Sequence, residues 1–146
     1  MPVVKSISNS DLAALASRLR LTLIRDRMEE MLSMATEKKL SPRETLEFFF
    51  RQEIFQREEN RIRQGIMGAH FPAVRSLEDF DFSAQPSIDI RQIKELAQFE
   101  WTQEGKNLLF LGPPGVGKTH LAIALGRLAI QKGISVAFYS AEDLGE

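Results

Sequence analysis

Residues 112–119 spell Gly-Pro-Pro-Gly-Val-Gly-Lys-Thr, which matches the phosphate-binding pattern G-x-x-x-x-G-K-T. The apolar run at 107–111 predicts a buried strand before the loop, and the run at 120–125 predicts the start of a helix with an apolar face. A strand, a glycine-rich loop and a helix in this order form the context in which the pattern binds phosphate. The sequence therefore predicts an α/β nucleotide-binding unit.

The predicted loop supplies three kinds of group that a triphosphate needs. A helix N-terminus offers unpaired backbone N–H groups, and the loop glycines let successive N–H groups point inward. Lys118 adds a positive charge and is the predicted catalytic residue, while the Thr119 hydroxyl is placed to ligate Mg²⁺. The predicted nucleotide-binding residues are Gly112, Pro113, Pro114, Gly115, Val116, Gly117, Lys118, Thr119 and His120.

Composition excludes several classes of protein. The chain has 146 residues and no cysteine, which excludes a disulfide framework and a thiolate metal site. The N-terminal residues lack the apolar region of a signal peptide, and no apolar run reaches the length of a membrane span, so we expect a cytoplasmic protein. Residues 1–75 carry 13 Lys and Arg against 10 Asp and Glu, a balance compatible with nucleic-acid contact.

Residues 1–69 are predicted to form a helical N-terminal domain, with helices from residue 8 onward. Ser8 or Ser10 is suited to cap a first helix, whose apolar residues are Leu12, Leu15 and Leu19. A second helix is predicted from apolar residues at helical spacing, which are Leu21, Ile24, Met28, Met31 and Ala35.

Residues 41–44 form a capping box that opens a long third helix. Its predicted apolar positions are Leu46, Phe50, Ile54, Ile62 and Ile66, and the cluster Phe48-Phe49-Phe50 predicts burial. Arg57, Arg61 and Arg63 are the predicted DNA contacts of this helix. The alternative is a solvated face, because acidic residues precede arginines by four positions in the pairs Glu47–Arg51, Glu53–Arg57 and Glu59–Arg63.

Residues 70–88 are predicted to connect this domain to a nucleotide-binding domain at 89–146. Phe80 and Phe82 in the connector either anchor it to that domain or lie against an adenine ring. Asp89 is suited to cap a helix. The P-loop helix is predicted to end at about Lys132, with Gly133 following its C-terminus, and residues 134–139 predict a second strand. Glu142 and Asp143 follow that strand, but the run at 140–143 matches a capping box better than a magnesium-binding acidic pair.

Several motifs together resemble a known family. The strand at 108–111, the P-loop and the run at 120–126 resemble the insertion-sequence ATP-binding proteins (IstB-like) and their relatives, the DnaC-type helicase loaders. The connector runs at 71–72, 77–82 and 85–88 match as well, and so does Leu19-Arg20-Leu21 before a Met-rich helix. The P-loop with His120 and Phe80-Asp81-Phe82 is much more specific than a P-loop alone, and the resemblance covers nearly the whole chain.

The resemblance implies a fold, a cofactor and partners. It implies an α/β fold in which a helical domain precedes the first part, strand–P-loop–helix–strand, of an AAA+ nucleotide-binding domain. It also implies ATP and Mg²⁺ as cofactors, non-specific binding to DNA, a transposase partner and homo-oligomers of the intact family. We expect the Walker B, sensor and arginine-finger segments to lie beyond Glu146, so that this chain is a fragment with open strand edges and little hydrolysis.

Three other functions remain open from the sequence. A helicase loader differs from a transposition helper only in its partner, which these residues do not identify. A non-catalytic helical adaptor would use residues 1–70 and would be indifferent to Lys118. A small-molecule kinase is disfavoured, because 111 residues precede the loop and few follow it.

Overall fold

The computed structural model describes residues 7–145, and in this part of the chain six α-helices are found. Their bounds are Asn9–Arg18 (α1), Thr22–Glu37 (α2), Pro42–Ala69 (α3), Ile90–Leu96 (α4), Glu100–Gln103 (α5) and Lys118–Gln131 (α6). The chain divides into two compact units between Arg61 and Ile62, inside α3. None of the helices described is both long enough and apolar enough to cross a membrane.

The helix starts agree with the capping signals in the sequence. Ser8 caps α1 in a reciprocal box, in which Asp11 N–H donates to Ser8 Oγ and Ser8 N–H donates to Asp11. The box at the start of α3 is also confirmed, with a 2.7 Å hydrogen bond from Ser41 N–H to Glu44 Oε2. Asp89 accepts a hydrogen bond from Arg91 N–H and so caps α4. Each box satisfies N–H groups that a helix leaves unpaired.

The first unit has a small core of buried residues on α1, α2 and α3. The four residues buried on α2 are Ile24, Met28, Met31 and Ala35, as the spacing predicts. The apolar positions predicted for α3 are wrong in its first part, because Leu46, Phe50 and Ile54 are more than half exposed, whereas Phe49 and Glu53 are buried. The predicted positions Ile62 and Ile66 are half-buried. A carboxylate predicted to lie on a solvated face is therefore buried, four residues after Phe49.

The second unit is organised around α6, which is apolar on most of its surface. Leu121, Leu125 and Ala129 of α6 form the core with Ile93 of α4, Phe80 and Phe99. Gly65, in the last part of α3, lies so close to α6 that a Cβ there would come within 2.8 Å of Ile130 Cγ2. Gly133 follows α6 with a φ of +87°, which confirms its predicted role at the helix C-terminus.

The two predicted strands are not confirmed, because no residue in the range 7–145 is paired in a sheet. Burial nevertheless alternates along both segments. Leu108 and Phe110 pack against the core, whereas Leu109 and Leu111 are 77% and 88% exposed. Ile134 and Val136 also pack against the core, while Ser135 and Ala137 are exposed. The period of two is that of a strand, but a strand also needs a neighbour to receive its N–H and C=O groups.

Candidate phosphate-binding site

The loop at 112–117 leads directly into the first turn of α6. Gly115 and Gly117 have φ angles of +83° and +90°, in the left-handed region that side chains with a Cβ rarely adopt. Gly117 is the N-cap of α6, and no side chain caps this end of the helix. The first turn also lacks acidic residues. The N–H groups and the positive end of the helix dipole are thus left for an anion.

Lys118 is the first residue of α6 and folds back over the loop. Its Nζ donates hydrogen bonds to the carbonyl oxygens of Gly112 and Pro113, the second at 2.8 Å. Among residues 7–145 the Lys118 ammonium forms no ion pair, so its charge is not neutralised by a carboxylate. An ammonium held only by neutral carbonyl groups can exchange them for phosphate oxygens, so it fits the predicted role.

Thr119 lies in the same turn and is exposed. Within the described part of the chain its hydroxyl has no hydrogen-bond partner, which leaves the oxygen available as a ligand of Mg²⁺. Mg²⁺ accepts few protein ligands and takes the others from water and substrate phosphates. The loop therefore fits Mg²⁺ that arrives together with a nucleotide.

A cavity of about 360 Å³ lies beside the loop. Its walls include Gly112, Pro113 and Lys118, together with Ser87 and Gln92 from the region before and within α4. This volume falls in the range of small-ligand pockets. Most of the other lining side chains are apolar, among them Ile93 and Leu108, so the cavity offers an apolar space with a few polar groups next to the loop.

His120 faces the connector. Its Nε2 lies 2.7 Å from the carbonyl oxygen of Ser76, a distance at which the ring nitrogen donates to that oxygen. The His120 ring also meets the ring of Phe80 edge to face at 5.2 Å. The predicted contact between His120 and nucleotide stays a prediction. The sequence does not predict the contact with Ser76, because no sequence signal marks a carbonyl group 44 positions away.

Phe80 is buried, with 8% of its surface exposed, and it packs against the N-terminus of α6. A Cβ on Gly117 would come within 2.5 Å of Phe80 Cε2, so the ring occupies the space that any other residue at 117 would need. Phe82 is partly buried and lies 4.7 Å from Phe80, ring centre to ring centre. This packing favours the anchor alternative over the adenine contact for Phe80.

The three arginines predicted to contact DNA differ in their surroundings. Arg57 donates to the carbonyl oxygen of Arg20 at 2.6 Å and lies 3.5 Å from the Glu53 carboxylate, while Arg61 pairs with Glu58. Arg63 forms no ion pair within the described residues. Of the three predicted pairs, Glu47–Arg51 and Glu53–Arg57 are confirmed, whereas no Glu59–Arg63 pair is found among residues 7–145. Contact with DNA stays a prediction for all three arginines. Among the described residues, Arg63 has no ion pair that would compete with binding to a DNA phosphate.

Glu53 is a buried residue that the sequence assigned to a solvated face. It is 3% exposed, and its Oε2 accepts a 3.0 Å hydrogen bond from the N–H of Ile24 in the first turn of α2. Because Leu21 at the start of α2 has no side-chain cap, Glu53 supplies that cap from another helix. The only sequence signal is its position four residues after Phe49, which is also buried.

Asp143 takes part in a capping box. Asp143 N–H donates to Ser140 Oγ, and Ser140 donates through both its N–H and its hydroxyl to Asp143 Oδ2. These hydrogen bonds hold the pKa of the Asp143 carboxyl below its ordinary value, the hydroxyl contributing most. A 3-10 turn over Asp143–Gly145 follows. The prediction of a helix start at this position is confirmed.

The family model described as "IstB-like ATP binding protein" matches residues 14–146. The chain is also 41% identical over 128 residues to an insertion sequence IS21 ATP-binding protein of Pseudomonas aeruginosa, covering 88% of this chain and 48% of the relative. An IS5376 ATP-binding protein of Geobacillus stearothermophilus is 39% identical over 127 residues, covering 87% of this chain and 51% of the relative. The chain thus spans about half the length of these curated relatives.

Proposed function

Because the chain belongs to the IstB-like ATP-binding protein family, we propose that it binds ATP with Mg²⁺ and serves in DNA transposition. In this proposal it acts with a transposase on DNA, as the ATP-binding part of an AAA+ helper protein. The names of its relatives place them in insertion sequences and describe them as ATP-binding, which supports the proposal.

The observation that carries the proposal is the start of α6. Gly117 ends the loop in a left-handed conformation, the helix N-terminus has no side-chain cap, and Lys118 has only carbonyl partners among the described residues. These three features leave N–H groups, a dipole and an ammonium for one anionic ligand. A turn that matched the motif by chance and bound no anion would not require any of these three features.

In this proposal, different groups of the loop bind different parts of the nucleotide. The backbone N–H groups of the loop surround the β-phosphate, and Lys118 reaches the β- and γ-phosphates. The Thr119 hydroxyl would hold Mg²⁺, which when bound neutralises charge on the phosphate oxygens. The α/β arrangement of strand, loop, helix and strand belongs to this proposal, with the alternating burial at 108–111 and 134–137 as its support.

The helical region is the proposed contact with DNA or a protein partner. Arg63 is the first residue to test, and Arg51 is a matched control because it lies on the same helix and pairs with Glu47. In fluorescence anisotropy with a labelled duplex, we expect Arg63→Ala to weaken binding and to reduce the slope of log K against log salt by about one. Arg51→Ala should leave both quantities near those of wild type.

The helper role predicts that ATP and DNA binding are coupled. In the same assay, Mg²⁺–ATP should raise DNA affinity by about fivefold or more, a typical allosteric coupling. Lys118→Ala should lose this effect, whereas Lys94→Ala, which removes an exposed lysine of α4, should keep it. DNA binding that responds to neither ATP nor Lys118→Ala would favour the helical adaptor.

A further inference from the structure

The connector touches the P-loop helix through two contacts on one turn. Ser76 offers its carbonyl oxygen to His120 Nε2, and Phe80 places its ring against Gly117. The connector is itself ordered here by a turn, in which Ser76 Oγ donates to Asp79 at 2.7 Å and Phe80 N–H donates to the Leu77 carbonyl oxygen. We call Ser76, Phe80, Gly117 and His120 the connector clasp.

Gly117 needs an external restraint, and Phe80 is positioned to supply one. Glycine reaches left- and right-handed conformations with similar ease, so nothing in the residue itself holds its φ at +90°. The direction of the neighbouring N–H groups depends on that angle. With the Phe80 ring filling the space beside the Gly117 Cα, rotation of the backbone there would disturb a buried side chain.

His120 provides the second contact of the connector clasp, three residues after Gly117. Its hydrogen bond to Ser76 holds the connector, and its edge-to-face contact with Phe80 holds the aromatic ring. The groups that face the imidazole are thus a neutral carbonyl and an aromatic ring. The side chain is engaged by the connector, which leaves the backbone of this turn for phosphate.

We propose that Phe80 and His120 are positioning residues, which hold Gly117 in the conformation that aims the loop N–H groups at phosphate. This inference rests on the proposed binding of ATP and adds that the docked connector and bound ATP stabilise each other. Such a coupling is reciprocal: if docking raises ATP affinity by a given factor, ATP stabilises the docked connector by the same factor.

The test uses four variants in two assays. Phe80→Ala removes the ring, His120→Leu removes the donor and His120→Gln retains an N–H donor. Leu125→Ala is the stability control, because Leu125 is a buried residue of the same core, two turns beyond the loop. ATP affinity is measured by titration at a temperature where all variants are folded, and connector docking by hydrogen exchange at residues 76–82 with and without ATP.

We expect Phe80→Ala and His120→Leu to weaken ATP binding about tenfold and to lose the ATP-dependent protection of residues 76–82. His120→Gln should recover most of the affinity, and Leu125→Ala should retain it despite its lower stability. Wild-type affinity in both Phe80→Ala and His120→Leu would overturn this inference and leave the proposed function intact. A wild-type protein that binds no ATP would instead overturn the proposed function and this inference together.

Discussion

Replacing Gly117 by alanine is expected to destabilise the second unit by about 2–5 kcal/mol and to abolish measurable ATP binding. Two costs combine at this position. A Cβ at a φ of +90° is strained, and it would lie 2.5 Å from Phe80 Cε2, inside the van der Waals contact distance. Because Phe80 is buried, relief requires either the ring or the loop to move. Either movement disturbs the N–H groups that we propose for phosphate.

Gly133→Ala is the matched control for this prediction. Gly133 has nearly the same φ, +87°, but nothing lies within 4 Å of the position of its Cβ. The control therefore carries the strain without the clash and lies at the opposite end of α6. Urea unfolding followed by the fluorescence of Trp101, the single tryptophan, reports on the second unit. Equal stability losses in the two variants, or retained ATP binding by Gly117→Ala, would contradict the role assigned to Phe80 at Gly117.

Glu53→Ala is expected to destabilise the first unit by about 2–4 kcal/mol, although the sequence suggests an ordinary surface residue. The substitution leaves the Ile24 N–H without its acceptor at the start of α2 and opens space in a buried position. It also removes the partner of Arg57, which keeps its bond to the Arg20 carbonyl oxygen. Urea unfolding followed by far-ultraviolet circular dichroism measures the loss.

Two further substitutions separate the causes. Glu53→Gln keeps an oxygen that can accept from Ile24 N–H and should retain much of the stability that Glu53→Ala loses. Glu47→Ala removes an exposed carboxylate from the same helix and its pair with Arg51, so its effect should stay within about 0.5 kcal/mol. Glu53→Ala and Glu47→Ala with the same small effect would show that the buried hydrogen bond contributes little.

Local signals in the sequence were sufficient for most of the helical structure. The boxes at Ser8 and Ser41, the Asp89 cap and the glycine at 133 act within one turn, so short stretches of sequence contain the interaction that defines each helix end. The sequence does not predict α5, because its four residues are too few to show a helical periodicity. The strands at 107–111 and 134–139 could not be confirmed by the same route, because a strand is defined by a partner distant in sequence.

The functional features likewise include some that the sequence predicts and others that it does not. The loop at 112–119 can be recognised in the sequence because the proposed phosphate contacts come from consecutive backbone N–H groups, which leave a contiguous motif. Its left-handed glycines at 115 and 117 agree with that interpretation, and phosphate binding itself stays a prediction. The contacts made by Glu53 with Ile24 and by His120 with Ser76 join residues 29 and 44 positions apart. Neither residue differs by type from its exposed equivalents, so composition and spacing do not distinguish it. Such roles emerge only when the helices are packed.

The most direct test of the account is calorimetric titration of Mg²⁺–ATP into the wild-type chain and its Lys118→Ala and Lys94→Ala variants. Wild type should bind one ATP, and Lys94→Ala should bind equally well, since Lys94 is exposed on α4. Lys118→Ala should bind about 10- to 100-fold more weakly, the loss expected for a charge-assisted hydrogen bond of about 1.5–3 kcal/mol. The same ATP affinity in Lys118→Ala as in wild type, or no binding by any of the three proteins, would contradict it.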